Sequence, residues 1–207
     1  FIATLAMMFL ARGLASILST VPVQAPDNSP ILVLATDWKL YNGPKTNDLV
    51  LTPGFFIAVL VVAAAFMLLH RTRTGRTVYG IGGAENSAQL MGLPVARTRV
   101  LIYVLSGALA GLAAVVYPAE VGGMAQNVTG IGWELDAIAA VVIGGTLLTG
   151  GAGYVLGSVV GSLVLAALAM IITKDGGIRP EYLTIITGGI LLAFVLLQRV
   201  LPARRRK

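Results

Sequence analysis

Long apolar segments alternate with shorter polar segments along this chain of 207 residues. A membrane helix needs about 20 consecutive apolar residues to cross the hydrocarbon core of a bilayer. Six segments approach this length, and they cover residues 1–19, 54–69, 100–118, 135–149, 154–173 and 182–201. The segment 135–149 is the shortest, and it either crosses the membrane or is re-entrant. The pattern predicts an all-α polytopic membrane protein with about six membrane segments.

The polar segments differ in charge, and the difference predicts their sides of the membrane. The longest, residues 20–53, contains three Asp and two Lys. The segment 71–99 contains five Arg and a single acid, Glu85. Loops rich in Arg and Lys stay in the cytoplasm, so we predict that 20–53 is external and 71–99 is cytoplasmic. Between this loop and the basic tail 204–207 the chain is predicted to cross the membrane four times. Because four is an even number, the loop and the tail are predicted to lie on the same side.

A short helix is predicted within the cytoplasmic loop, over residues 85–93. Gly92 favours its termination, and Pro94 prevents the helix from resuming. Leu90, Met91 and Leu93 give it an apolar patch that favours a protein partner. The alternative interpretation is an ordinary solvated connection.

The composition excludes several classes of function. Hydrophobic residues make up 57% and charged residues 12% of the chain, which is outside the soluble range. The net charge of +6 comes largely from the loop and the tail, so it does not indicate nucleic-acid binding. Cysteine is absent, His70 is the single histidine, and the sequence has no catalytic triad, metal-ligand or Walker motif. We therefore expect no catalytic residue, metal or cofactor here, and the start at Phe1 indicates part of a longer polypeptide.

Glycines spaced four residues apart predict close helix packing. Gly153, Gly157 and Gly161 share one face of a membrane segment, and Gly107 and Gly111 do the same on another. Helix backbones approach closely where side chains are absent, and dispersion contacts then hold them together. A nucleotide-binding glycine loop is the alternative, and it is disfavoured because no strand precedes the motif.

Two acids near the start of segment 135–149 have two interpretations. Glu134 and Asp136 lie where acids compensate the free N–H groups and dipole of a helix N-terminus. Alternatively, they line a polar pathway together with Thr146. Residues two positions apart project roughly 200° from each other on a helix, so the two acids are not expected to form an acid–base pair.

Two long motifs resemble those of a known family. Residues 75–113 are similar to the cytoplasmic coupling region and the following helix of sugar-type ABC importer permeases, in the ribose, xylose and arabinose branch. Residues 134–168 are similar to the second characteristic region of that family. The forms LMGLPVARTR, GGTLLTGGAGYVLGS and LLQRVL are most like galactofuranose-type members.

This resemblance implies that residues 1–207 are part of a single permease domain in the bacterial plasma membrane, without its N-terminal helices. It implies cytoplasmic ABC ATPase subunits that bind ATP and Mg²⁺, and a second permease subunit, identical or different. A periplasmic or extracellular sugar-binding protein and membrane lipid complete the expected partners, with no nucleic acid. The residues that the resemblance assigns to ATPase coupling are Glu85, Asn86, Ser87, Ala88, Gln89, Leu90, Met91 and Gly92.

The function implied is a permease subunit that forms the pathway of an ATP-driven sugar importer. An ion-driven secondary transporter is one alternative, and it would need a buried acid with a partner in mid-membrane. The acids of this chain cluster instead at segment ends. A non-transporting membrane scaffold is the other alternative, because it would need helix packing alone.

Overall fold

The computed structural model describes residues 2–26, 29–30, 34, 38–41, 49–126, 129–174 and 181–204. Helices make up most of this part, and they confirm the all-α fold class. In chain order the elements are α1 (Ile2–Leu18), β1 (Val23–Gln24), β2 (Trp38–Tyr41), β3 (Leu49–Leu51), α2 (Pro53–Phe66), a π-helical segment (Met67–Arg71), α3 (Arg73–Gly83), α4 (Glu85–Leu90), α5 (Val95–Glu120), β4 (Met124–Ala125), α6 (Trp133–Ile143), α7 (Val155–Lys174) and α8 (Glu181–Arg204).

Three helical stretches of the described chain are long and apolar enough to cross a membrane. They are Pro53–Arg71, Val95–Glu120 and Val155–Ile172. The apolar stretches Ile2–Leu18 and Ile185–Leu196 are shorter. The chain is therefore a polytopic membrane protein, while the predicted count of six membrane segments is not confirmed.

Helix α6 is shorter than its apolar segment. The sequence predicts a membrane segment over 135–149, but the helix ends at Ile143 because Gly145 adopts a φ of +85°. Its 11 residues span about 16 Å, roughly half of the hydrocarbon core. Segment 135–149 therefore does not cross the core as a continuous helix, and the even count of crossings stays a prediction.

The described chain forms two compact units. The first comprises Phe1–Leu60 and Tyr103–Ile131. Within it β1 pairs antiparallel with β4, and the carboxylate of Glu120 lies beside Gly54. The C-terminal end of α5 therefore meets the N-terminal end of α2, and the strand that follows α1 pairs with the strand that follows α5. Strands β2 and β3 form a second antiparallel pair.

The second unit comprises Val61–Ile102 and Gly132–Lys207. Helix α6 packs against α7 and α8 within this unit. Its buried residues Ala139, Ala140 and Val142 are small, so neighbouring helices approach it closely. This unit also contains α3 and α4, which follow the membrane-length stretch Pro53–Arg71 and precede α5 in the chain.

Candidate functional site

The polar loop between α2 and α5 contains two helices, whereas the sequence predicts one. The additional helix is α3, which contains four glycines and is therefore a poor helix by propensity. Its N-terminal signal is Thr72, whose side chain accepts a hydrogen bond from the backbone N–H of Gly75 at 3.2 Å. That capping residue was the available sign of a helix start.

The chain turns sharply between α2 and α3. The Thr72 hydroxyl donates to the carbonyl of Leu68 at 2.6 Å, at the end of the π-helical segment. A Cβ at Gly75 would overlap the carbonyl group of Leu69. Glycine is therefore required for α3 to fold back against the end of the preceding helix.

Helix α4 begins at Glu85 as predicted, and it ends earlier than Leu93. Gly92 adopts a φ of +75°. The N–H of Leu93 then donates to the carbonyl of Ala88 at 3.1 Å, and the N–H of Gly92 donates to Gln89 at 2.9 Å. This pair of hydrogen bonds is a Schellman motif, for which glycine is the preferred residue.

The predicted coupling residues are mostly on the surface of α4. Leu90 is 90% exposed and Met91 is 70% exposed, so these two form an apolar patch. Leu93 is half-buried, and Ala88 is fully buried. Ala88 therefore faces inward and anchors the helix. The other predicted coupling residues, all exposed, are Glu85, Asn86, Ser87, Gln89 and Gly92.

An ion pair joins α4 to the first turns of α5. The guanidinium of Arg99 donates to the carboxylate of Glu85, and both side chains are about half exposed. The pair fixes the orientation of α4, but solvent screening limits its contribution to stability to less than about 1 kcal/mol.

An aromatic cluster lies beside α3. The ring of His70 stacks on Phe66 with a centroid separation of 4.7 Å, and it lies 6.4 Å from the ring of Tyr154. The hydroxyl of Tyr79 donates to the carbonyl of Gly153 at 3.0 Å. Burial, and to a lesser extent Tyr154, raises the pKa of Tyr79, so this hydroxyl stays a donor at neutral pH.

A cavity of about 330 Å³ lies between α3 and the α6–α7 turn. Its lining is mostly apolar, with Val78, Val141 and Leu147 beside Tyr79 and Ser158. Its size and lining do not specify a ligand.

Two of the predicted packing glycines, Gly157 and Gly161, contact backbone. A Cβ at Gly157 would overlap the carbonyl group of Gly144. A Cβ at Gly161 would overlap the carbonyl oxygen of Ala140. Helices α6 and α7 therefore meet without intervening side chains at these positions.

The other three predicted glycines have different surroundings. A Cβ at Gly153 would lie 2.7 Å from the Cγ2 atom of Thr146, so this contact is to a side chain. A Cβ at Gly107 or Gly111 would meet no atom of the described chain within 4 Å.

The structure does not bring together the three residues considered for a polar pathway. Glu134 and Asp136 lie in the first turn of α6. Thr146 follows the other end of that helix, where its backbone carbonyl accepts a hydrogen bond from Gln198 at 3.1 Å. The position of the two acids fits the helix-terminus interpretation. Among the described residues, no cluster of His, Asp and Glu is arranged to hold a metal ion.

A protein-family model matches residues 1–195 of the chain. The description of the matching family is "Branched-chain amino acid transport system / permease component". No solved structure matches this chain.

Curated relatives match almost the whole chain. It is 52% identical over 204 residues to the fructose import permease protein FruG of Bifidobacterium longum, covering 98% of this chain and 59% of FruG. It is 40% identical to the inner membrane ABC transporter permease protein YjfF of Escherichia coli, covering 96% of this chain and 58% of YjfF. It is 36% identical to the ribose import permease protein RbsC of Bacillus subtilis, covering 96% of this chain and 59% of RbsC. The chain thus spans somewhat more than half the length of these relatives.

Proposed function

The chain belongs to this family of transport-system permease components, and we propose that it forms part of the membrane permease subunit of an ATP-driven sugar importer. The resemblance to ABC sugar permeases of the ribose branch is confirmed by these relatives. Although the family description names branched-chain amino acids, two of the three relatives have sugars in their names. The identity of 52% to a fructose permease favours a sugar as the substrate.

One observation supports this function most directly. Helix α4 is short, and its loop lies in the chain between two membrane-length helical stretches. Leu90 at its end is 90% exposed, and Met91 directly after it is 70% exposed. A pair of exposed apolar side chains at the C-terminal end of a helix of six residues is suited to a groove in a partner protein. We propose that this partner is the ATPase subunit, and that it binds the ATP and Mg²⁺.

The charges of the loop support a cytoplasmic position for α4. Five arginines lie between residues 71 and 99, and the positive-inside rule places such loops in the cytoplasm. In chain order α4 precedes α5 and β4 follows it, so we propose that the β1–β4 pair lies on the external face. An external sugar-binding protein would approach this face, and a second permease subunit would complete the pathway.

The apolar patch of α4 provides the first test. Replacing Leu90 and Met91 by Asp is expected to reduce ATP-dependent sugar uptake at least about tenfold, because charged groups would then enter an apolar partner groove. Both positions are on the surface, so the amount of protein in the membrane should not change. Sugar uptake by proteoliposomes that contain the whole importer measures the first effect. The yield of membrane-inserted protein checks that the amount of protein is unchanged.

A matched control exchanges the two residues, as Leu90→Met with Met91→Leu. This double variant keeps the composition and apolar character of the patch, so its uptake should stay near that of the wild type. Normal ATP-coupled uptake by the double Asp variant would contradict the docking of α4. Ion-dependent uptake by the wild type without any ATPase would instead support a secondary transporter.

The substrate can be identified by direct comparison. Galactofuranose is proposed from the sequence motifs, while fructose and ribose occur in the names of relatives. Uptake of labelled fructose, ribose and galactofuranose by the reconstituted importer would distinguish them, because only the substrate should stimulate ATP hydrolysis in the presence of the binding protein.

A further inference from the structure

The C-terminal end of α3 meets the turn between α6 and α7 through backbone atoms. A Cβ at Gly82 would lie 2.9 Å from the amide nitrogen of Gly151, and one at Gly151 would lie 2.8 Å from the Cα of Gly83. A Cβ at Gly150 would overlap the carbonyl group of Gly82. We refer to Gly82, Gly83, Gly150 and Gly151 as the glycine contact. Side chains would force its two sides apart.

The need for glycine at position 82 arises from this contact. Gly82 lies in α3, and glycine destabilises a helix relative to alanine. Its φ is not positive, so local backbone conformation does not require glycine there. Glycine is required at position 82 because the α6–α7 turn approaches it closely.

A hydrogen bond reinforces the glycine contact. The hydroxyl of Tyr79 donates to the carbonyl of Gly153 at 3.0 Å. Tyr79 precedes Gly82 by about one helical turn, and Gly153 follows Gly151 by two residues. Helix α3 and the α6–α7 turn are therefore joined at two adjacent points.

Both sides of the contact are firmly connected to the elements beyond it. Ala84 alone separates α3 from α4, and its N–H donates to the carbonyl of Gly80 at 3.2 Å. Ala88 of α4 is fully buried. On the other side, Gly157 lies against Gly144, so the turn, α6 and α7 form one closely packed hairpin.

We propose that the glycine contact transmits movement of α4 to the α6–α7 hairpin, with Gly82 and Tyr79 as positioning residues for coupling. This inference rests on the proposed function and extends it, because it names the membrane element that follows the ATPase. A displacement of α4 moves α3, and the backbone contact at Gly82 then displaces the hairpin without side-chain rearrangement.

Gly82→Ala tests the contact, and Gly80→Ala is its matched control. Both substitutions lie on α3 and give the same gain in helix propensity. A Cβ at Gly80 would lie 3.7 Å from the Cδ1 atom of Leu93, which is ordinary van der Waals contact. In proteoliposomes containing the whole importer, Gly82→Ala should lower the number of sugar molecules imported per ATP at least about fivefold, and Gly80→Ala less than about twofold.

Tyr79→Phe provides a second test, which applies even if Gly82→Ala fails to assemble. This substitution removes one hydrogen bond and keeps the ring, so the ratio of sugar imported to ATP hydrolysed should fall about threefold. Tyr103→Phe is the control, because Tyr103 of α5 is 63% exposed and belongs to neither side of the glycine contact, and its ratio should match that of the wild type.

The ratio separates coupling from simple stability. A purely structural defect would lower the amount of assembled importer and leave the ratio unchanged, and that result for Tyr79→Phe would overturn the inference. Wild-type ratios in both Gly82→Ala and Tyr79→Phe would also overturn it, while the proposed function would stand. Absence of ATP-dependent uptake by the wild-type importer would remove the proposed function and this inference together.

Discussion

Two helices of this chain have the same glycine spacing and very different surroundings. On α7, Gly157 and Gly161 contact the backbone of α6 so closely that no Cβ fits. On α5, Gly107 and Gly111 have no atom of the described chain within 4 Å of an added Cβ. Glycine at every fourth position therefore creates a surface that permits close approach. Whether a neighbouring helix packs against this surface depends on the residues of that other helix.

The neighbouring helix shows how the α7 surface is filled. Helix α6 presents Ala140 and Gly144 to it, which are also small. Two complementary small-residue surfaces bring the backbones together, and dispersion contacts then extend along the hairpin. Among the residues that the structure describes, no such complement lies against the face of α5 at Gly107 and Gly111.

The largest expected effect separates the two glycine surfaces directly. Gly157→Leu should destabilise the protein by about 3 kcal/mol or more, because the side chain would enter the backbone of α6. Gly107→Leu should change stability by less than about 0.5 kcal/mol, since nothing in the described chain opposes it. Denaturation in detergent, with the yield of membrane-inserted protein, measures both. Equal losses would show that the surface of α5 is also packed in the whole protein.

A smaller effect distinguishes a backbone obstacle from a side-chain obstacle. Gly144→Ala should cost about 2 kcal/mol, because the new methyl group would meet backbone atoms of Gly157. Gly54→Ala should cost about 1 kcal/mol or less, because it meets the carboxylate of Glu120, which can rotate away. The same denaturation experiment gives both values. A larger loss of stability for Gly54→Ala than for Gly144→Ala would show that the contact at Gly54 is the more rigid of the two.

The smallest effect concerns the surface contact at the start of α5. Arg99→Gln removes the ion pair with Glu85, and it should change stability by less than about 1 kcal/mol because both groups are about half exposed. Comparing unfolding at low and high salt checks this, since screening should reduce the difference. A loss as large as that of Gly144→Ala would show that α4 depends on this pair more than on its buried Ala88.

The sequence predicts elements well where one physical signal dominates. Uninterrupted apolar runs predict the membrane-length stretch formed by α2 and the π-helical segment, as well as α5 and α7, and Gly92 indicates where α4 ends. The sequence predicts helices less well where local helix propensity and tertiary packing favour different residues. The sequence does not predict helix α3 because its glycines weaken helix propensity, and the reason for one of them, Gly82, is a contact some 70 residues away in the chain.

The predicted membrane segment 135–149 extends beyond the end of helix α6 for a similar reason. Apolar residues continue through Leu148, but the positive φ of Gly145 ends the helix at Ile143. Hydropathy does not detect this change of direction. Six of the eight predicted coupling residues lie on the short helix α4, Met91 and Gly92 follow its end, and the burial of Ala88 is a result of three-dimensional packing.

The glycine contact also has an entropic consequence. Glycine has no side-chain conformations to lose, so closing this contact restricts no rotamers there. If α3 and the α6–α7 hairpin move together through this contact, the contact would therefore keep the same geometry without a search among side-chain arrangements. Its reproducibility would depend on the stiffness of two short backbone segments, and a single methyl group at Gly82 would be enough to disturb it.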